Sequence, residues 1–339
     1  MSKIFKTKTL ITFLTLMLLI FVGGNKILAL SVNDRDTSSL RYFDFKDDEF
    51  VKPSPTGFNN WINREIVTKH HPHHNGYDEI YTKNQPQVIE GDFLYGDVRV
   101  KLANEWVSIY EYSLDSSSPS WNKIGRAVTD TKGHIKYNIP DNMKLGCGMH
   151  LIKLYVEGDG TSANMYIQVL DNTKKYVVFD MDGTLTTTDF EDVKQYAGEF
   201  FNSNYVAKMY PDADNVVKYY ASKGYGILYL TARPYWLSEE SQTWLWKNGF
   251  PMGLLHTYTG GDLLLGEEAE SFKAGYLNQL KSQGIEFDYG FGNEKTDVEA
   301  YSNIGIAKSN IFTIGKNRGI DGSVSIVSYT DYLKQLSGN

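Results

Sequence analysis

The 339-residue chain contains a single cysteine, Cys147, so it forms no intrachain disulfide. It also lacks an Asn-x-Ser/Thr acceptor, which excludes ordinary N-glycosylation. Basic residues are outnumbered by acidic ones, 34 against 41, and the net charge of −7 gives no support to nucleic-acid binding. Internal repeats and extended low-complexity tracts are missing as well. The length therefore predicts two ordinary globular domains behind a lead-in segment.

Long apolar runs are also scarce. One run extends from Leu10 to Val22, behind three lysines in the first eight residues. It is short for a spanning helix, which needs roughly 20 apolar residues. With Ile27-Leu28-Ala29 as a cleavage site, residues 1–30 are typical of a secretory signal peptide, and an uncleaved anchor is the alternative. The sequence thus predicts a protein of the secretory route, secreted or lumenal, or periplasmic in a bacterium.

Residues 31–87 form a polar lead-in segment. Its notable feature is a cluster of four histidines around Pro72, from His70 to His74. Clustered imidazoles can bind Zn²⁺ or Cu²⁺. The spacing fits no structural zinc pattern, however, and Pro72 prevents a helical arrangement of ligands. The pattern favours a solvated loop over a metal site.

Residues 88–172 show a period-two alternation that is typical of β-strands. Turn signals such as Thr131-Lys132-Gly133 and Gly158-Asp159-Gly160 separate the alternating segments. Short strands joined by tight turns predict an antiparallel β-sandwich of immunoglobulin- or transthyretin-like type. The predicted strands are Val98–Leu102, Val107–Tyr112, His134–Ile139, Leu151–Val156 and Ala163–Leu170.

The most informative stretch is Asp180-Met181-Asp182-Gly183-Thr184. It follows the apolar run Tyr176–Phe179, which is typical of a buried parallel strand. Two acids one residue apart at the end of a strand can divide labour. The first carboxylate attacks a phosphorus atom, and the second protonates the leaving oxygen. Gly183 permits a tight turn beside a phosphate, and the Thr184 hydroxyl can hydrogen-bond to it.

A second strand is predicted over Tyr225–Leu230. It ends at Thr231, whose hydroxyl can bond a phosphate oxygen, and Pro234 suits the first turn of the helix that follows. Lys273 lies in a predicted helix over residues 267–281. Its ammonium group can neutralise charge on the nucleophile and on the transferring phosphoryl group.

The last motif comes after another strand-like segment, Phe287–Gly292. Asp297 stands at the start of a predicted helix, where Thr296 to Glu299 fits a capping box and Gly305 suits the helix end. An acid just beyond a strand lies at the carboxyl edge of the sheet, where open α/β folds bind their ligands.

In this order the segments resemble the four motifs of the haloacid-dehalogenase-like phosphatases. The resemblance implies an α/β domain over residues 173–339, a Rossmann-like parallel sheet with flanking helices. It implies Asp180 as nucleophile, Asp182 as acid and base, and Mg²⁺ as cofactor. The implied metal ligands are Asp180, Asp182, Asn293 and Asp297. The implied substrate-binding residues are Gly183, Thr184, Thr231, Ala232, Arg233 and Lys273.

Residues 177–316 also resemble the lipin-type phosphatidate phosphatases. A longer similarity, from about Val88 to the end, is to the C-terminal half of the membrane-associated phosphatidylinositol transfer proteins of the retinal-degeneration-B type. It is carried by Thr231–Pro234, Asn248–Gly253 and Asp297–Tyr301. In that family the corresponding domain has lost the first-motif acids and is regarded as a sensor of phosphatidic acid. This chain keeps both acids.

Two functions remain open at this point. The first is a Mg²⁺-dependent phosphatase that forms an aspartyl-phosphate on Asp180, with phosphatidic acid as the substrate that the resemblance suggests. The second is a non-catalytic module that binds phosphatidic acid or a phosphoinositide in the same pocket. Either would make peripheral contact with a membrane. The retained pair Asp180 and Asp182 favours the enzyme, because a receptor for an anion gains nothing from two carboxylates facing a phosphate without a metal.

Overall fold

The computed structural model describes residues 40–96, 98–171, 174–187, 207–260, 264 and 266–338. These residues belong to one compact unit, which runs from Leu40 to Asn339. The predicted signal peptide, residues 1–30, lies outside the described residues. Among the helices that are described, none is both long and apolar enough to cross a bilayer.

The first part of this unit is built from strands in two larger sheets and a short hairpin. The larger sheets have the orders β2-β10-β9-β6-β7 and β1-β3-β8, and β4 pairs with β5. A helix, α1 (Trp61–Lys69), precedes the strands. The strands are β1 Asn75–Gly76, β2 Glu79–Thr82, β3 Val88–Asp92, β4 Leu94–Tyr95, β5 Val100–Lys101, β6 Trp106–Ser113, β7 Trp121–Val128, β8 His134–Asn138, β9 Gly148–Val156 and β10 Ser162–Leu170.

Strand β9 shows why the middle of the five-stranded sheet is almost entirely apolar. Ile152 and Leu154 pack into the core of the β-strand region, whereas Met149 and Leu151 belong to the core shared with the second part of the unit. Successive side chains of a strand point to opposite faces. Both faces of this strand are therefore buried, and the β-strand region is packed firmly against the rest of the protein.

The strand region begins earlier than the sequence indicated. Strands β1 and β2 lie before Val88, within the predicted lead-in, and both pair with strands of the two sheets. The pairing of β2 with β10 is parallel, so the sheets are not purely antiparallel as predicted. Strand β2 was missed because four residues, Glu79–Thr82, are too few to show a clear alternation.

The second part contains a six-stranded, wholly parallel sheet of order β13-β12-β11-β14-β15-β16. Its strands are β11 Lys175–Phe179, β12 Gly226–Pro234, β13 Leu254–Tyr258, β14 Glu286–Gly292, β15 Ile311–Thr313 and β16 Val324–Ser325. Its helices are α2 Ala213–Ser222, α3 Ser238–Lys247, α4 Glu267–Ser282, α5 Lys295–Asn303 and α6 Tyr329–Leu336. The predicted α/β class is confirmed.

The strand order locates a ligand site. From β11 the chain adds strands outward to β13 on one side, and then returns to β14 on the other side of β11. This reversal makes the junction of β11 and β14 the switch point of the sheet, where open α/β folds form a crevice at the carboxyl ends of the strands. Asp180 and Asn293 each directly follow one of these two strands.

Helix α5 begins two residues earlier than predicted. Its N-cap is Glu294, not Thr296, and the capping box joins the side chains of Glu294 and Asp297 to each other's backbone N–H groups. Thr296 lies inside the first turn instead. The helix ends as expected before Gly305, whose φ of 94° suits glycine at this position.

Candidate active site

Asp180 is the centre of the site. Its backbone N–H donates to the carbonyl of Phe291, which joins β11 to β14 (2.9 Å). Its carboxylate is almost fully buried and has a partner on each oxygen. Oδ1 accepts a hydrogen bond from Lys273 Nζ (2.7 Å), and Oδ2 accepts one from Thr184 Oγ1 (3.0 Å). The carboxylate is therefore held in one orientation, as a nucleophile must be.

Lys273 reaches the site from α4 and is buried between two carboxylates. Its ammonium group lies 2.7 Å from Asp180 Oδ1 and 2.6 Å from Asp297 Oδ1. Burial works to lower the pKa of Lys273, but the charges of Asp180 and Asp297 outweigh it and the pKa is raised. Burial has the opposite effect on the pKa of Asp180, which it raises against the pull of Lys273. The cation beside Asp180 therefore favours the ionised form of the nucleophile, against the effect of burial.

Asp182 forms a bidentate ion pair with Arg233. The guanidinium makes a fork on the carboxylate, with NH2 at 2.6 Å from Oδ1 and Nε at 2.9 Å from Oδ2. Thr231 Oγ1 donates to the same Oδ2 (3.2 Å), and Arg233 NH1 donates to Ser241 Oγ (2.9 Å). Ser241, on α3, was missed by sequence reasoning because an isolated serine in a helix carries no signal of its own. A bidentate pair of this kind is among the stronger ionic contacts in proteins.

Thr184 lies behind Asp180 and not in the cavity. Its side chain is fully buried, and its hydroxyl is 3.0 Å from Asp180 Oδ2 and 3.1 Å from Asn293 Oδ1. Gly183 passes close to the same asparagine. The structure thus gives Thr184 the task of positioning Asp180 and Asn293, whereas the sequence predicted a direct contact with substrate.

Asp297 serves as a second anchor. Its Oδ1 accepts from Lys273, and its Oδ2 accepts from the backbone N–H groups of Asn293 (3.0 Å) and Glu294 (3.1 Å). Glu294 in turn receives two hydrogen bonds of 2.8 Å from Asn317 Nδ2. Both oxygens of Asp297 are therefore engaged with protein donors. Its role as a metal ligand stays a prediction.

The predicted residues meet around one cavity of about 240 Å³ at the carboxyl edge of the sheet. Only Gly183 and Thr184, of all the predicted site residues, do not line it. Residues of the α5 start and of the segment before α4 complete the wall. The predicted residues that line the cavity are Asp180, Asp182, Thr231, Ala232, Arg233, Lys273, Asn293 and Asp297.

The donor set suits a hard divalent cation. Asp180, Asp182 and Asn293 line the same cavity, and carboxylate and amide oxygens are ligands that Mg²⁺ accepts. Three or more His, Cys, Asp or Glu side chains are nowhere arranged to hold a metal within the described ranges.

The histidine cluster of the lead-in does not come together as a metal site. His74 is buried, with Nε2 at 2.8 Å from Thr161 Oγ1 and Nδ1 at 3.3 Å from the backbone nitrogen of Leu94. Both of its ring nitrogens thus have protein partners. That the other histidines of this cluster form a solvated loop stays a prediction.

We expect Gly183→Ala to distort the site by more than its backbone strain alone. Gly183 has a φ of 72°, and a Cβ there would lie 2.3 Å from Asn293 Nδ2. Gly224 has a similar φ of 88° but open space around it, so Gly224→Ala is a matched control. The backbone strain costs about 1–2 kcal/mol in either variant, and the clash in Gly183→Ala adds about 1–3 kcal/mol. Urea unfolding of both variants measures the difference, and equal losses would contradict the contact.

Two family models match this chain. Residues 177–315 match the model described as "PITM 1-3, LNS2 domain", and residues 72–169 match "PITM 1-3, beta-sandwich domain". The second match starts before Val88, in agreement with the early strands β1 and β2. The predicted sandwich is thus supported, while its immunoglobulin- or transthyretin-like type stays a prediction.

Curated relatives point to the same proteins. The chain is 31% identical to human membrane-associated phosphatidylinositol transfer protein 3 over 72% of its length and 23% of that protein. It is 29% identical to the Drosophila melanogaster protein retinal degeneration B over 78% of its length and 20% of that protein. The chain therefore spans only about a fifth of the relatives' length. The predicted homology to these transfer proteins is confirmed, and a lipin-type relationship stays a prediction.

Two solved structures align over part of the chain. One is a putative β-phosphoglucomutase from Thermotoga maritima, with 18% identity and a TM-score of 0.33 over 48% of this chain and 99% of that one. The other is an aspartyl-phosphate analogue of phosphoserine phosphatase, with 15% identity and a TM-score of 0.30 over 42% and 87%. The fold assignment depends on the strand order and not on these overlaps.

The predicted secretory localisation is wrong. The human and mouse homologues are named membrane-associated phosphatidylinositol transfer proteins, which does not agree with a secreted or lumenal enzyme. An apolar run behind lysines indicates only that a segment can enter an apolar phase. Such a composition does not distinguish an exported protein from one attached to a membrane.

Proposed function

We propose that this protein is a Mg²⁺-dependent phosphoric monoester hydrolase that acts on a lipid phosphate, with phosphatidic acid as its substrate. The observation that carries the proposal is the arrangement of Asp180, Asp182 and Lys273 around one cavity at the switch point of the sheet. A nucleophile, an acid and a fixed cation are the groups that phosphoryl transfer through an aspartyl-phosphate needs.

In the first step, an oxygen of Asp180 attacks phosphorus. The new P–O bond to Asp180 forms while the P–O bond to the lipid alcohol breaks, and Asp182 gives its proton to the departing alkoxide. In the second step, Asp182 takes a proton from water, whose oxygen attacks phosphorus and releases inorganic phosphate and free Asp180. Lys273 lies against Asp180 throughout and offsets negative charge as the phosphoryl group arrives.

Arg233 has to change partners during this cycle. Its fork occupies both oxygens of Asp182, so Asp182 acquires a proton only after the guanidinium has moved. A phosphate dianion offers the same bidentate geometry as a carboxylate. We infer that substrate phosphate draws Arg233 away from Asp182 and so frees the acid only when substrate is bound.

Mg²⁺ would be held by Asp180 and Asn293, with Asp297 and the main chain at Asp182 as the other predicted ligands. When bound, it would neutralise the phosphoryl oxygens and orient them for in-line attack. The chain's own contribution is the positioning of these ligands. Thr184 fixes the oxygens of Asp180 and Asn293, and the capping box of α5 fixes Asp297.

The choice of a lipid substrate is supported by homology. The human and mouse relatives are named for membrane association and for phosphatidylinositol transfer. Residues 188–206, between the first and second motifs, lie outside the described residues, and the choice of a lipid substrate does not depend on them. Phosphatidic acid is a monoester, unlike phosphatidylinositol, and so presents the dianionic phosphate and single leaving alcohol that the two acids require.

The test is phosphate release by the full chain from phosphatidic acid in detergent micelles, with Mg²⁺ or with EDTA. We expect release with Mg²⁺ and essentially none with EDTA, because the phosphoryl charge would then be offset by Lys273 and Arg233 alone. Glycerol 3-phosphate, a soluble monoester, serves as the comparison substrate. Release from the soluble ester alone would reject the lipid assignment, and release unaffected by EDTA would reject the metal.

The alternative is a non-catalytic receptor for phosphatidic acid or a phosphoinositide. The ion pair between Arg233 and Asp182 favours this alternative. An Asp182 that stays paired cannot act as a general acid, and Arg233 could exchange the carboxylate for a phosphate. This alternative predicts binding to vesicles that contain phosphatidic acid, with no phosphate release under any metal condition. The same micelle and vesicle experiments therefore separate the two functions.

A further inference from the structure

A second cavity, of about 770 Å³, lies between the β-strand region and the parallel sheet. Glu79, Lys101 and Lys132 line it from the first part of the unit, and Tyr235 and His256 line it from the second. It shares no lining residue with the candidate active site. The lining is rich in charge and contains few aliphatic side chains.

Several charges in this cavity are already matched within the protein. Glu90 accepts from Lys136 (2.9 Å), and Asp92 lies 3.3 Å from His134 Nδ1 and accepts from the Tyr77 hydroxyl. Asp92 and Glu90 raise the pKa of His134 to about 9, so at neutral pH His134 is a cation between two carboxylates. These groups form a network that needs no ligand.

Three cations remain outside that network. Arg99, Lys101 and Lys132 have no carboxylate within ion-pair distance in the part of the chain that the structure describes. Arg99 lies over the ring of Trp236, 4.8 Å from its centre. Lys101 and Lys132 are exposed, so these cations stand at the mouth of the cavity. Basic side chains that line one cavity and have no acidic partner among the described residues suit a phosphate group.

Two further polar groups, His256 and Glu79, line the cavity, and Glu79 has a backbone hydrogen bond with Ile80. His256 is only 8% exposed, and neither of its ring nitrogens has a hydrogen-bond partner among the described residues. Its ring stacks on Tyr276, and burial lowers its pKa to about 3, so it is neutral. Burial raises the pKa of Glu79 to about 8. A neutral imidazole and a neutral carboxyl can both donate and accept hydrogen bonds, as hydroxyl groups require.

We propose that this cavity binds a phosphorylated polyol, with the phosphate at Arg99, Lys101 and Lys132 and the hydroxyl groups at Glu79 and His256. Buried polar groups in proteins are rarely left without a hydrogen-bond partner, and the ring nitrogens of His256 have none among the described residues. The scarcity of aliphatic side chains excludes an acyl chain from the cavity. A lipid would therefore insert only its headgroup, and a soluble sugar phosphate presents the same chemistry.

The test measures binding of myo-inositol 1-phosphate to the full chain by calorimetry, in EDTA so that turnover is suppressed. Inorganic phosphate and myo-inositol are the partial probes, and each should bind at least about tenfold more weakly than the whole ligand. The double variant Lys101→Ala/Lys132→Ala should weaken binding by about tenfold or more. Lys83→Ala, an exposed lysine of the same region, and Asp180→Asn should leave binding unchanged.

The outcomes decide the proposal. Binding that survives in Lys101→Ala/Lys132→Ala, or that is lost in Asp180→Asn, would place the ligand elsewhere and overturn it. If inorganic phosphate bound as tightly as myo-inositol 1-phosphate, the polyol would contribute nothing to binding, and the proposal would be overturned. Phosphatidylcholine vesicles with and without phosphatidylinositol show whether the ligand is a lipid headgroup or a free polyol phosphate. If the double variant loses binding to the vesicles with phosphatidylinositol, the ligand is a lipid headgroup. If it loses binding only to the soluble ester, the ligand is a free polyol phosphate. Because the double variant keeps the active site, its phosphatidic acid hydrolysis reports separately on the proposed enzyme.

Discussion

Asp180→Asn is expected to abolish phosphate release, by a factor on the order of 10⁴ or more, as the loss of a covalent nucleophile does in other hydrolases. The amide nitrogen or oxygen of asparagine is too weak a nucleophile to attack phosphorus. The change keeps the size of the side chain and its contact with Thr184. It also removes one of the two buried carboxylates around Lys273 while leaving Asp297 as partner. The variant should therefore fold normally, and phosphate release from phosphatidic acid measures the effect.

Asp288→Asn is the matched control. Asp288 lies near the start of β14, beside Lys175 at the start of β11, and thus at the opposite edge of the same sheet. This substitution has the same chemistry without any contact with the cavity, so full activity is expected. Equal activity in Asp180→Asn and in the wild type would remove Asp180 from the mechanism. If Asp180→Asn lost both its activity and its cooperative thermal unfolding transition, the loss of activity would be explained by misfolding.

The position of the site was predictable because the sequence rules behind it are local. A carboxylate that directly follows a buried parallel strand lies at the carboxyl edge of the sheet whatever the rest of the fold. The same rule places Asn293 after β14, beside Asp180, whereas Thr231 lies within β12, which continues to Pro234. Lys273 was placed by the helical pattern around it, which the structure confirms as α4.

The contacts within the site were less predictable. Arg233 was expected to meet substrate, but which anion a guanidinium contacts depends on the distance between two strand ends, and no pattern of residue types records that distance. The N-cap of α5 is a similar case. Thr296 is a good cap by residue type, yet the chain leaves β14 in a direction that brings Glu294 and Asp297 into the capping box first. Thr184 was predicted to bind substrate because its burial depends on the tertiary packing, which the local sequence does not show.

Lys273→Met is expected to lower the free energy of unfolding by about 3–5 kcal/mol, the usual cost of removing one partner from a buried ion pair. Methionine fills a similar volume, so the loss comes from charge and not from a cavity. Asp180 and Asp297 would face each other without the ammonium group that now lies 2.7 and 2.6 Å from them. Two uncompensated carboxylates in a buried site repel each other and have lost their solvation. Urea unfolding in EDTA, where no divalent cation can replace the ammonium group, measures the effect.

Lys175→Met is the control for this measurement. Lys175 also contacts two acids, Asp288 at 2.9 Å and Glu286 at 3.7 Å, but it is about half exposed. Exposed ion pairs contribute about 0–1 kcal/mol, so a small loss is expected. Adding Asp180→Asn to Lys273→Met should recover part of the stability, because it removes one of the two repelling charges. A Lys273→Met protein no less stable than Lys175→Met would mean that the ammonium group does not lie between the carboxylates. The charge balance assigned to the nucleophile would then fail as well.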